Sequence, residues 1–137
     1  MITTKHYTDR IYQTSITDYY NGVLKLGDGE YYGTGNLLYD GRSLLTAAHV
    51  FDGRNYDRLK IYLYDGVNNF TTYANVNIHS RYDDYDVNDD IAIVTFEQTF
   101  DYMYQRYQLY RDNSEINKKY TAVGYGDVGT GNSGALD

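Results

Sequence analysis

The chain has 137 residues, one domain's worth, and a globule of that size hides roughly 68% of the surface its unfolded chain exposes. Hydrophobic residues make up 42% and charged residues 23%, proportions that exclude bulk disorder. Twelve basic against nineteen acidic residues give a net charge of −7, which argues against a surface that tracks nucleic acid or docks on anionic lipid.

The N-terminal Met1-Ile2-Thr3-Thr4-Lys5-His6 has no apolar core of the kind a secretion signal needs, so any such signal is expected to be already removed or to lie outside this chain. No apolar run approaches the roughly eighteen residues of a membrane-spanning helix. With no Cys, disulfides, cysteine-based zinc sites and thiol nucleophiles are excluded together. Nineteen Tyr and no Trp favour β structure, since tyrosine suits strands and half-wet surfaces.

With no Pro, other residues must make the turns. Asp-Gly occurs at Asp28-Gly29, Asp40-Gly41, Asp52-Gly53 and Asp65-Gly66, and supplies the positive φ that tight hairpins demand. Between and beyond them lie seven candidate strands. Val23–Leu26 alternates weakly, Asn36–Tyr39 leads into a turn, and Ser43–Ala48 is short and apolar. Leu59–Tyr64 is rich in β-formers. Ala74–Ile78 alternates strictly, so one face should be wet, while the continuous run Ile91–Phe96 predicts a strand buried on both faces. Tyr120–Val123 is the last. Phe100–Tyr110 reads as a loop with at most a helical turn. Turn signals at this spacing predict an all-β sandwich or barrel. After Tyr125 the composition turns to small residues, as in a linker.

Three histidines could do chemistry: His6, His49 and His79. His6, near the terminus, is read as exposed. His49 ends Leu44-Leu45-Thr46-Ala47-Ala48, whose small residues allow a close turn before the imidazole; a structural histidine at the edge of a core fits equally well. The acidic run Asp83–Asp90 admits a solvated loop, a cation site or the mounting of one carboxylate. The calcium-loop template fails on it, with Asp89 where Gly is needed and Thr95 where Glu is needed. Asp90 stands apart because it immediately precedes a buried run, where a carboxylate hydrogen-bonds an imidazole strongly. A histidine and an aspartate from different strands would be two parts of an acyl-transfer triad.

Leu45-Thr46-Ala47-Ala48-His49 resembles the L-T-A-A-H signature around the catalytic histidine of trypsin/chymotrypsin-like serine proteases. Asn88-Asp89-Asp90-Ile91-Ala92-Ile93 resembles that family's N-D-I-A-L segment, whose Asp is the triad acid. Ile78-His79-Ser80-Arg81-Tyr82 is similar to its I-x-H-P-x-Y stretch, and Gly33-Thr34-Gly35-Asn36-Leu37-Leu38 to the G-S-G-x-L-I strand of bacterial members. Val123-Gly124-Tyr125-Gly126 resembles the V-x-G-W/Y-G segment leading to the second barrel. The five occur in the family's order and cover roughly residues 20–134.

The resemblance implies an antiparallel six-stranded β-barrel over residues 1–124, the first half of a trypsin-like double barrel, and a glycine-rich interdomain linker over 125–137. It implies His49 as general base and Asp90 as its orienting acid, with Asp89 the competing carboxylate one position away, and it leaves His79 structural. No cofactor or metal is implied. The expected partners are a protein or peptide substrate and the missing C-terminal barrel, with no nucleic acid or membrane, and the expected location is extracellular.

Departures from the pattern narrow the expectation. Val50 stands where many members have Cys. Arg10-Ile11 resembles a zymogen cleavage site, but Tyr12-Gln13-Thr14 does not continue it. The family's nucleophile sits in G-D-S-G-G, roughly ninety residues past the Asp. Ser133, in Gly131-Asn132-Ser133-Gly134-Ala135, imitates that motif only forty-three positions past Asp90 and reads as linker. The chain alone is therefore expected to be inactive. The alternative is a non-catalytic, protease-like barrel that serves as a binding module.

Overall fold

The computed structural model describes residues 2–3, 20–126, 128–130 and 134–136. His6, Arg10-Ile11 and Ser133 lie outside the described residues. Among the described residues nine strands occur: β1 (Ile2–Thr3), β2 (Val23–Gly27), β3 (Tyr32–Leu37), β4 (Ser43–Thr46), β5 (Tyr56–Tyr64), β6 (Asn69–Ile78), β7 (Ala92–Phe96), β8 (Val128–Thr130) and β9 (Gly134–Leu136). Six of them close an antiparallel barrel in the order β2-β3-β4-β7-β6-β5. Within the segment read as a linker, β8 and β9 pair with each other and β8 with β1, in a small separate sheet. Among the described residues no helix is long and apolar enough to cross a membrane.

Alternation along each strand builds the core. Leu24 and Leu26 of β2 point inward while Lys25 is exposed. Leu37, Leu44, Ile61, Leu63, Val76, Val94 and Phe96 join them in one buried cluster. β6 keeps the predicted wet face, with Asn75 and Asn77 exposed on either side of buried Val76. β7 does not behave as its sequence suggests. It is buried at Ala92, Val94 and Phe96 but only half-buried at Ile93 and Thr95, and Ile91 is 47% exposed. A strand of a closed barrel has one inner face, so even a continuous apolar run is half outside.

Two further expectations are corrected. Tyr120–Val123 is not a strand, and Tyr120 is 65% exposed. The pairing of β2 with β5 closes the sheet and leaves no edge for a seventh strand. Strand β3 begins at Tyr32, ahead of the predicted Asn36, although its glycines make it a weak strand by propensity. Those glycines are needed for space. A Cβ on Gly33 would lie 2.5 Å from Val50 Cγ2, and one on Gly35 would lie 2.9 Å from Leu26 Cδ2.

The Asp-Gly turns use both residues. All four glycines have positive φ, from 62° to 106°. In the three hairpin loops the aspartate is a local acceptor as well: Asp28 Oδ1 takes the N–H groups of Glu30 and Tyr31, Asp40 Oδ1 those of Arg42 and Ser43, and Asp65 Oδ1 those of Val67 and Asn68. The pair at Asp52-Gly53 closes a helical turn instead of a hairpin.

Phe100–Tyr110 is a loop, and it caps one end of the barrel. Phe100 packs edge-on against Phe70, Phe96 and Tyr104. The Tyr104 hydroxyl donates to Asp65 Oδ2 at 2.7 Å, and Asp65 is 8% exposed. Burial pushes the Asp65 carboxyl up, but the bonds from Asn68, Tyr104 and Val67 outweigh it and hold the group below the usual carboxylate range. Burial, then the bond to Asp65, pushes Tyr104 up to about 12.

Two outcomes follow. Gly33→Ala should cost about 1–3 kcal/mol through overpacking and lose most of that cost in a Val50→Ala background, as read by urea denaturation of the single and double variants. Tyr104→Phe should cost about 1.5–3 kcal/mol at neutral pH, the range for a hydrogen bond to a charged group. The unfolded tyrosine releases its proton near pH 10 and the folded one near 12, so its contribution is full below pH 10 and fades through 12. The contribution of Asp65 is full above about pH 4 and is lost as pH falls through its depressed folded value. Stability curves against pH should therefore differ between wild type and Tyr104→Phe on the alkaline side as well.

Candidate active site

The histidine is presented by a short turn that is otherwise part of the core. After β4 the chain makes a 3-10 turn over Ala48–Phe51 in which Ala48, Val50 and Phe51 are buried. This corrects the expectation that Ala47 and Ala48 continue the strand. Three of the four turn residues face inward, so His49 is turned outward, and its side chain is 62% exposed. Asp52 at φ 51° and Gly53 at φ 62° stop the turn, and Gly53 N–H donates to the Ala48 carbonyl at 3.2 Å. The lack of a Cβ on Gly53 leaves room for the ring of Tyr82, whose one sequence signal is its place at the end of Ile78–Tyr82.

Asp90 comes from the other side. It immediately precedes Ile91 and β7, and β7 pairs with β4 in a register that sets Thr46 opposite Ala92. His49 lies three residues past Thr46 and Asp90 two before Ala92, so the pairing delivers both to one rim. There Asp90 Oδ2 lies 2.7 Å from His49 Nδ1, and Asp90 Oδ1 accepts the His49 backbone N–H at 2.9 Å. A carboxylate can only accept, so Nδ1 carries the ring proton and Nε2 presents a lone pair. No described residue bonds to Nε2. Such an imidazole can take a proton from a hydroxyl placed at Nε2, while the carboxylate stabilises the cation formed.

The Asp90 side chain is only 20% exposed. Burial pushes its pKa up, but the His49 ring, the His49 backbone N–H, the imidazole's charge and the Ala48 N–H outweigh burial and hold it below the usual carboxylate range.

Asp89 turns elsewhere. Its carboxylate lies 3.4 Å from Arg81 Nε and 4.0 Å from His79 Nδ1. The rest of the acidic run forms a loop closed between Asp83 and Asn88. Among the described residues no group of three histidine or carboxylate side chains converges to hold a metal ion. Arg81 was not singled out by sequence reading, because a lone exposed arginine carries no signal of its own.

An Asp90→Asn substitution offers one oxygen where two are used. The His49 backbone N–H takes that oxygen, and the amide NH2 then faces Nδ1. The ring proton should move to Nε2, a tautomer change that 15N NMR of His49 reads directly; an unchanged tautomer would contradict this account of the pair.

A comparison with curated proteins returns no match. The family model described as Trypsin matches residues 10–136. That span takes in the whole barrel, the histidine turn and the aspartate rim, and this chain belongs to the trypsin family.

Proposed function

We propose that this chain supplies the general base and its orienting carboxylate to a serine endopeptidase whose nucleophilic serine lies outside this chain. The reading is carried by the doubly bonded contact of Asp90 with His49, at 2.7 Å to Nδ1 and 2.9 Å from the backbone N–H. In the proposed reaction a serine hydroxyl gives its proton to His49 Nε2 as its oxygen attacks the peptide carbonyl. The imidazolium, held by Asp90, then protonates the leaving amine, and an acyl-enzyme remains. Water attacks the ester with His49 again as base, and the serine recovers its proton. Residues 1–124 would form the first of two barrels and 125–137 the link to the second, which would bring the serine and the donors for the developing oxyanion. Peptides or proteins are the substrate class, and secretion is the location usual for such enzymes.

The chain alone should not turn over generic chromogenic peptides. Hydrolysis by it that vanishes on Ser133→Ala would overturn the proposal. A G-D-S-G-G-like segment within about a hundred codons past Asp137 is expected; an immediate stop codon would favour a binding module instead. In a longer product that does cleave peptides, Asp90→Asn should lower kcat by about 10^4-fold, the loss typical of a wrong imidazole tautomer, and His49→Ala at least as much.

A further inference from the structure

We infer that Asp89, paired with Arg81, is a positioning residue that fixes the backbone turn from which Asp90 reaches His49. Adjacent carboxylates face different partners: Asp90 takes His49, and Asp89 takes Arg81. Asp89 has φ 52°, a left-handed conformation that side-chain-bearing residues adopt at a cost. The Asp89 carbonyl accepts the Ile91 N–H at 2.7 Å, which makes Asp90 the centre of a three-residue turn. The Ile91 carbonyl in turn accepts the His79 N–H at 2.9 Å, which ties the turn to the end of β6. A strained residue persists where its surroundings over-determine it.

Here those surroundings are side chains. Arg81 Nε lies 3.4 Å from Asp89 Oδ2, and Arg81 Nη2 donates to Oδ1 at 3.5 Å. The Arg81 backbone N–H donates to His79 Nδ1 at 3.3 Å, which anchors Arg81 beside the end of β6. The arrangement acts on Asp90 through the backbone and touches no reacting atom. It deepens the proposed function and rests on it only for the importance of Asp90.

The test uses the 137-residue chain without substrate, so it reads the positioning role whether or not the protease reading survives. Asp89→Ala and Asp89→Gly remove the same charge. By charge alone, both should let Asp90 ionise more easily and lower its pKa. Glycine accepts a positive φ without support, whereas alanine does not. Loss of positioning therefore predicts opposite results: by 13C NMR of the carboxyl, Asp90 should titrate about one pH unit higher in Asp89→Ala and no higher than wild type in Asp89→Gly. Equal lowering in both would overturn the inference, because Asp89 would then act as a charge and nothing more. Should Asp89→Ala fail to fold, Arg81→Ala at its 76% exposed position serves instead. It should abolish the low-field proton signal of His49 Nδ1 in the wild-type background and leave it in the Asp89→Gly background. Survival of that signal in both backgrounds would equally overturn the inference.

Discussion

The register between β4 and β7 is the constraint on which the rim depends. Four residue pairs set it, from Ser43 opposite Thr95 to Thr46 opposite Ala92. Side chains alternate with a period of two, so a slip of β7 by one residue would turn Val94 out of the core and carry Asp90 away from His49 together. Burial therefore protects the site: the apolar contacts that make the slip costly are the ones that hold imidazole and carboxylate in reach. The histidine turn adds to this, because Val50 and Phe51 are core residues 2% and 0% exposed. The backbone of His49 cannot move away without pulling them out.

The legibility of these features in the sequence follows from the range of the forces behind them. Turns were legible because their chemistry is local: an aspartate accepts from N–H groups two and three residues on, and the following glycine takes the positive φ. The barrel was legible in outline from strand spacing. The start of β3 was legible only through the motif Gly33–Leu38, since Gly33 and Gly35 lower strand propensity, and their reason is the room they leave for Val50 and Leu26. Tyr120–Val123 has the composition of a strand and no edge to join. Closure is a property of the whole sheet, and no window of sequence reports it.

The site divides in the same way. Residue spacing leaves His49 indistinguishable from a structural histidine until the ordered motifs point to it, whereas Asp90 already stands out by its place just ahead of the apolar run Ile91–Phe96. The choice between Asp89 and Asp90 turns on backbone angles. A φ of 52° at Asp89 sends one carboxylate toward Arg81 and its neighbour toward His49. Asn-Asp-Asp as a string carries no trace of that divergence.

The two halves of the pair sit in different media. Asp90 is 20% exposed with both oxygens engaged by His49, while the imidazole is 62% exposed. The carboxylate end is thus already largely desolvated, and its hydrogen bonds are correspondingly strong. The Nε2 end still faces water, which solvates an imidazolium nearly as well as a carboxylate does and competes for the lone pair. Proton transfer gains from fixed dipoles only where water is displaced from the reacting side. On the proposed reading, the surface that brings the serine must therefore also cover the outer face of His49 while leaving Nε2 reachable. Since the other side of the ring is already committed to Asp90, approach is open from the solvent side, and a second barrel docking there would supply nucleophile and enclosure in one step.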